Sequence, residues 1–279
     1  MTIALVTDSA SQITADLADR IGAHVVPVVV TIDGVDHREG VDLTADAFWN
    51  TLTSGELPEV GTSQPSPGEI AAAYEAAIAE GATEIVSVHV GADVSGTVNA
   101  ATLAAELVDV PVHVVDTGTA SFGVAACLWE AALHVERGGD AAAAATIAKT
   151  VAATIGTSFI LQGLDFALAG GRFTTMLPEE ADEVMVLAGH GTALDVVGTS
   201  RDLDELADLI VAPFLAGGTP IRAAVGLADT ATLPITERIE ERLRASDLVV
   251  DLVRYRVGPS IAAHTGPGTA GGFWWPAEL

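Results

Sequence analysis

Strand-like and helix-like stretches alternate through the first half of the chain, and that rhythm constrains the fold more than any single motif. Ile3 to Thr7 is a short apolar run, closed by the polar turn Asp8-Ser9-Ala10-Ser11. A helix is expected over Ala15 to Ile21 with Thr14 as its N-cap, because a threonine oxygen can accept one of the unpaired N–H groups of a first turn. His24 to Ile32 is valine-rich and reads as one buried strand ending at Asp33-Gly34. Ser66-Pro67-Gly68-Glu69 has the spacing of a capping box, with proline at the first helical position, and predicts a helix to about Glu80. Strand-like Ile85 to Val90, a helix to about Leu107, strand-like Val112 to Val115 and helical Val124 to Arg137 continue the series. Such alternation implies an α/β domain, a mostly parallel sheet flanked by helices.

After about residue 155 the pattern changes. Ser158 to Leu161 and Val184 to Ala188 look like strands, and Gly189-His190-Gly191-Thr192 reads as a hairpin turn into Leu194 to Val197. Helices are expected near Leu203 to Leu215 and Ile235 to Ala245, with strands at Ala223 to Leu227 and Leu248 to Tyr255. The expectation is therefore two domains, residues 1–155 (α/β) and 156–279 (α+β, helices over an antiparallel sheet), with a soft boundary.

Composition removes several function classes. Of 279 residues 49% are hydrophobic, enough for a substantial buried core. The net charge of −26 repels nucleic acid and anionic headgroups, so neither is expected as a standing partner. Lys149 is the sole lysine, a bias that fits GC-rich coding or high-salt adaptation and says nothing about function. The one cysteine, Cys127, allows no internal disulfide, and in its apolar stretch it reads as a core side chain. No signal peptide and no apolar run of roughly 18 residues is visible, so a soluble cytoplasmic protein is expected. There is no P-loop, H-E-x-x-H or G-x-S-x-G, and the seven histidines lack zinc-ligand spacing.

Three segments remain as candidates. Gly61-Thr62-Ser63-Gln64-Pro65-Ser66-Pro67 precedes the capped helix, and Val94-Ser95-Gly96-Thr97 lies between a strand and a helix. Hydroxyls there can serve simply as caps, or can donate to an anion drawn to a helix N-terminus at a strand's carboxyl end. Ile261 to Gly272 sets His264 in a glycine-rich stretch before Phe273-Trp274-Trp275. It is either a tight connector to a last strand or a place where the backbone approaches a ligand.

Taken in order, Val6-Thr7-Asp8-Ser9-Ala10-Ser11, Val26-Pro27-Val28, the Gly61–Pro67 segment, Val94-Ser95-Gly96-Thr97, Leu168-Ala169-Gly170-Gly171-Arg172 and His264-Thr265-Gly266-Pro267-Gly268 resemble the DegV family. Each motif is weak alone, but the ordered set covers nearly the whole chain. The resemblance implies two domains with a long-chain fatty acid between them, its tail in an apolar tunnel and its carboxylate at the mouth. It also implies a non-catalytic binding protein, with no cofactor beyond the fatty acid. The bound carboxylate would be presented to a separate, dihydroxyacetone-kinase-like fatty acid kinase subunit, which forms an acyl-phosphate for phospholipid synthesis. Membrane contact would be transient only.

By the same resemblance Thr62, Ser95 and His264 match the family's carboxylate-binding residues, with Ser63, Gly96, Thr97 and Arg172 as secondary candidates. Two departures stand out: Val184 to Ala188 replaces a lysine-proline strand, and Val98 replaces an aromatic. The first bears on the second domain and on kinase docking. Alternative functions are a lipid-binding sensor without a kinase, and a free-standing serine hydrolase using Ser95 with His264.

Overall fold

The computed structural model describes residues 2–54, 57–161, 183–191 and 193–278. The chain divides into two compact units that are not separated by a single cut. Met1–Leu43 with Glu59–Ala153 form the first, and Thr44–Pro58 with Thr154–Leu279 form the second.

The first unit opens with β1 (Ile3–Asp8), α1 (Ala15–Ile21), β2 (Ala23–Val26), β3 (Val29–Ile32) and β4 (Val35–Arg38). The chain then leaves for the second unit with α2 (Ala45–Thr53) and returns with β5 (Val60–Ser63). It continues through α3 (Pro67–Ala79), β6 (Glu84–His89), α4 (Thr97–Ala105), β7 (Val112–Asp116), α5 (Phe122–Glu136) and α6 (Ala141–Thr154). Local chemistry sets the helix starts. Thr14 caps α1 as expected, and Ser66 and Glu69 form the complete reciprocal box at α3.

Four strands make a parallel sheet in the order β2-β1-β6-β7. On one face Val6, Val26 and Ile85 meet Ile70, Ala71 and Tyr74 of α3 and Ala100, Ala101 and Ala104 of α4. Against β1 and β6 packs α5, whose residues Phe122 to Ala132 are all buried. A helix stretch in which Glu130 is the one charged side chain among eleven buried residues fits only such an enclosed position. Cys127 lies within it, fully buried, and burial pushes its thiol's pKa up, so it behaves as an inert core side chain.

The stretch His24 to Ile32 is not one strand. It breaks at Pro27, which has no N–H for a ladder, and its halves enter different sheets. Its second half, β3, pairs antiparallel with β4 and β5 in a separate three-stranded sheet.

The second unit is built on β8 (Gly156–Leu161), β9 (Val184–His190), β10 (Ala193–Ser200), β11 (Ile221–Leu227), β12 (Val249–Arg256) and β13 (Ala270–Pro276). Their order is β10-β9-β8-β13-β11-β12. The β9–β10 hairpin is antiparallel, as its turn residues suggested, but the sheet is mixed, because β11 and β12 pair in parallel. The reason is connectivity: α8 (Leu233–Arg244) carries the chain from β11 to β12, and a crossover helix returns a strand in the same direction. With α7 (Leu203–Leu215), α8 covers one face through Leu206, Ile210, Phe214, Ile235, Ile239 and Leu243. A further short helix, α9 (Pro259–Thr265), precedes β13. At φ +151 on β13, Gly271 has no room for a side chain, since a Cβ would strike the Ser158 carbonyl of β8.

Candidate functional site

In the parallel sheet, β1 leads through α1 to β2 on one side, while β6 leads through α4 to β7 on the other. The strand order therefore reverses between β1 and β6. Outside the carboxyl ends of those strands is where open α/β sheets place ligands. The Val94–Thr97 loop follows β6 at this point.

That loop is held at both ends. The Gly91 N–H donates to the Thr119 carbonyl at 2.8 Å, and a Cβ on Gly91 would sit 2.8 Å from the Gly118 backbone, so only glycine permits the approach. The N–H groups of Val94 and Ser95 both donate to the Gly91 carbonyl at 3.1 Å. The Ser95 Oγ accepts the Thr97 N–H at 3.3 Å and lies 2.9 Å from the Thr97 Oγ1. When Thr97 is the donor between the hydroxyls, the half-buried Ser95 has its own O–H to offer an external acceptor.

Thr62 is not in a loop. It lies in β5, half-buried and paired with Val30; Ser63 pairs with Val29 in the same strand, and only from Gln64 does the chain turn toward the capped helix. The Gln64 side-chain amide lies over Gly96, so the segment carrying Thr62 and the loop carrying Ser95 are in contact. The Ser66 N–H and hydroxyl hold the Glu69 carboxyl below its ordinary pKa, which secures the charged form of the box next to this contact.

Beneath the switch point runs a buried polar chain that sequence reading missed. The Tyr74 hydroxyl donates to the Ser87 Oγ at 2.8 Å, Ser87 lies 2.7 Å from the His89 Nε2, and the His89 Nδ1 lies 2.8 Å from the Asp8 Oδ2. Burial pushes the Tyr74 phenol up to about 12, so it remains a donor. With the His89 Nδ1 as donor to Asp8 and the Nε2 as acceptor from Ser87, the chain reads Tyr74 to Ser87 to His89 to Asp8 and every link is satisfied. Serine, histidine and aspartate stand in the order of a hydrolytic triad, but all three are 0% exposed. Substrate has no approach to Ser87, and the chain is structural. Asp8 also accepts the Val90 N–H at 3.4 Å, so the chain ends on the strand terminus that leads to Ser95.

Two of the motifs have structural partners. The Ser9 Oγ donates to the buried Glu39 at 2.5 Å and accepts the Val28 N–H at 2.9 Å. The Asp8-Ser9 and Pro27-Val28 segments thus brace one another.

In the second unit, His264 stands in the last turn of α9, half-buried, rather than in a loop. Pro259 opens the helix and Gly266, at φ +68, ends it. The following turn is tied by the Thr269 hydroxyl, 3.1 Å from the carbonyls of Thr265 and Gly266, and by the Gly268 N–H, which donates to Asp229 at 2.9 Å. Against α9 packs α2, whose Trp49 indole N–H donates to the Val257 carbonyl at 2.8 Å. The signal for Asp229 was an Asp-Thr-Ala-Thr turn after a strand, readable as a cap. Its second contact, with Gly268 39 residues away, left no local trace. Arg172 and the Leu168–Gly171 segment lie outside the described residues. Among the described residues no cluster of His, Cys, Asp and Glu could hold a metal ion, and no helix is long and apolar enough to cross a membrane.

Comparison with known proteins agrees with this architecture. Residues 2–277 match the family model described as "Uncharacterised protein, DegV family". A DegV domain-containing protein of Streptomyces coelicolor is 33% identical over 278 residues, covering 96% of each chain, and one of Deinococcus radiodurans is 32% identical over 278 residues, covering 97% of each. The solved structure of a DegV family protein from Thermus thermophilus, described as fatty-acid binding, superposes with a TM-score of 0.87 at 30% identity, covering 99% of this chain and 100% of that one. The Bacillus subtilis DegV structure, at 23% identity and a TM-score of 0.85 over 99% of each chain, shares the fold. The chain belongs to the DegV family.

Proposed function

We propose that this protein binds a long-chain fatty acid, with Thr62 and Ser95 donating to its carboxylate and His264 as a third donor. Ser63, Gly96 and Thr97 shape the same loops, and Arg172 is a further candidate contact. The protein presents the carboxylate to a separate, dihydroxyacetone-kinase-like kinase subunit for acyl-phosphate formation and is not itself a catalyst. It works in the cytoplasm and touches membranes only while lipid is exchanged. The observation that carries the reading is the whole-length likeness, at 30% identity, to the Thermus protein described as fatty-acid binding. The placement of Ser95 at the sheet's switch point, in contact through Gly96 with the segment carrying Thr62, supports it. A free-standing hydrolase is not favoured: the Ser95 oxygen is hydrogen-bonded to Thr97, and the buried Ser87–His89–Asp8 set is sealed.

Affinity and orientation divide between the ends of the ligand. Removing an acyl chain from water yields roughly 25 cal/mol per Å² over several hundred Å². A hydroxyl donated to a charged carboxylate contributes roughly 1.5–3 kcal/mol. Ser95→Ala and Thr62→Ala should therefore keep tight binding while narrowing the preference for a fatty acid over its methyl ester, which lacks the charge. Both should slow phosphorylation of the bound acid more than they weaken binding. Variants that discriminate acid from ester as wild type does would remove these hydroxyls from the head-group site.

A further inference from the structure

Asp229 is buried, just past the end of β11, and its two carboxylate oxygens serve different segments. Oδ1 accepts the N–H groups of Ala231 at 2.7 Å and Thr232 at 3.2 Å, capping the 3-10 turn Thr230–Thr232 that runs into α8. Oδ2 accepts the Gly268 N–H at 2.9 Å. A cap needs one acceptor oxygen, and serine, threonine or asparagine supplies it as well as aspartate does. The second oxygen has no part in capping. It makes a charge-assisted bond, stronger than a neutral one, to the turn that follows His264.

The base of this contact is rigid. Arg256 donates to the carbonyls of Leu227 and Ala228, and the Val257 N–H donates to Leu227 at 3.0 Å. The turn itself has two glycines in the left-handed region, Gly266 at φ +68 and Gly268 at φ +80, which confers freedom unless something holds it. Asp229 provides the hold from outside, and Thr269 provides it from within.

From this we infer that Asp229 is a positioning residue: it fixes the end of α9, and with it the His264 imidazole, in the orientation that meets the ligand's carboxylate. The inference rests on the reading of His264 as a head-group contact. Asp229→Ser separates the two roles, since serine keeps the capping oxygen and is too short to reach Gly268 as well. The probe is the ¹⁵N shift of the His264 imidazole, compared between delipidated protein and protein reloaded with oleate. In wild type, loading should move that resonance. Asp229→Ser should take up oleate, melt close to wild type and lose most of the movement. Asp229→Asn keeps the volume and the cap but turns an NH₂ toward the Gly268 N–H, and it should behave the same way. It replaces the serine variant if that one does not fold. Variants with the full wild-type response would make Asp229 a helix cap and nothing more. Wild type that takes up oleate without any response at His264 would defeat the head-group reading first, and the inference with it.

Discussion

His89→Ala is expected to destabilise the first unit by roughly 3–5 kcal/mol, the cost of removing one partner from a buried, hydrogen-bonded charged group. The imidazole is 0% exposed and lies 2.8 Å from a carboxylate that is equally buried. Alanine would leave the Asp8 Oδ2 with only the long bond from the Val90 N–H and would strip Ser87 of its acceptor. Tyr74→Phe removes only the first donor of the chain and should cost less, about 1 kcal/mol. Amide exchange across the parallel sheet, measured with chemical denaturation, reads both losses. A His89→Ala protein as well protected as wild type, or less affected than Tyr74→Phe, would mean that this chain does not hold the sheet together.

Trp49→Ala should be comparably damaging to the second unit, at about 3–5 kcal/mol for truncating a large buried aromatic. Its side chain is 3% exposed, edge-on to Phe48 with ring centroids 6.1 Å apart, and its indole N–H satisfies the Val257 carbonyl. Residues 44–58 belong to the second unit although most of their sequence neighbours belong to the first, and Trp49 is a buried anchor of that excursion. Trp49→Phe keeps most of the packing and removes that donor, so it should cost about 1–3 kcal/mol. Because α2 packs against α9, the alanine variant should also loosen the helix bearing His264, visible as faster amide exchange over residues 259–265. Wild-type stability and exchange in Trp49→Ala would show that the excursion is dispensable.

What could be read from sequence and what could not follows a physical divide. The caps at Thr14 and Ser66 were legible because a cap is a contact within three residues, written in adjacent side chains. The turn around Gly189-His190-Gly191 was legible for the same reason. Pro27 broke a valine-rich run that hydrophobic pattern alone would keep whole. The strand–helix–strand order over Ala223 to Tyr255 was visible in the sequence, yet strand direction is not written in local pattern, and the pair expected in an antiparallel sheet runs parallel. Around His264 the glycines and proline suggested a loop, yet they bracket a two-turn helix, with Pro259 at its start and Gly266 at its end. The His89–Asp8 contact spans 81 residues and was beyond any local signal. Of the candidate site, the Ser95 loop was placed correctly from its strand-to-helix position, while Thr62 turned out to lie in a strand. The family motifs differ in placement: Asp8-Ser9 with Pro27-Val28 braces the scaffold, whereas Ser95 lies in the loop at the sheet's switch point.

Fatty-acid binding is tested most directly by native mass spectrometry of protein purified without detergent or added lipid, followed by organic extraction and identification of what is released. The account predicts a mass excess equal to one long-chain fatty acid per chain, recovered intact in the extract and replaced by another such acid on incubation. Protein that arrives empty and takes up no long-chain acid when one is supplied would contradict it.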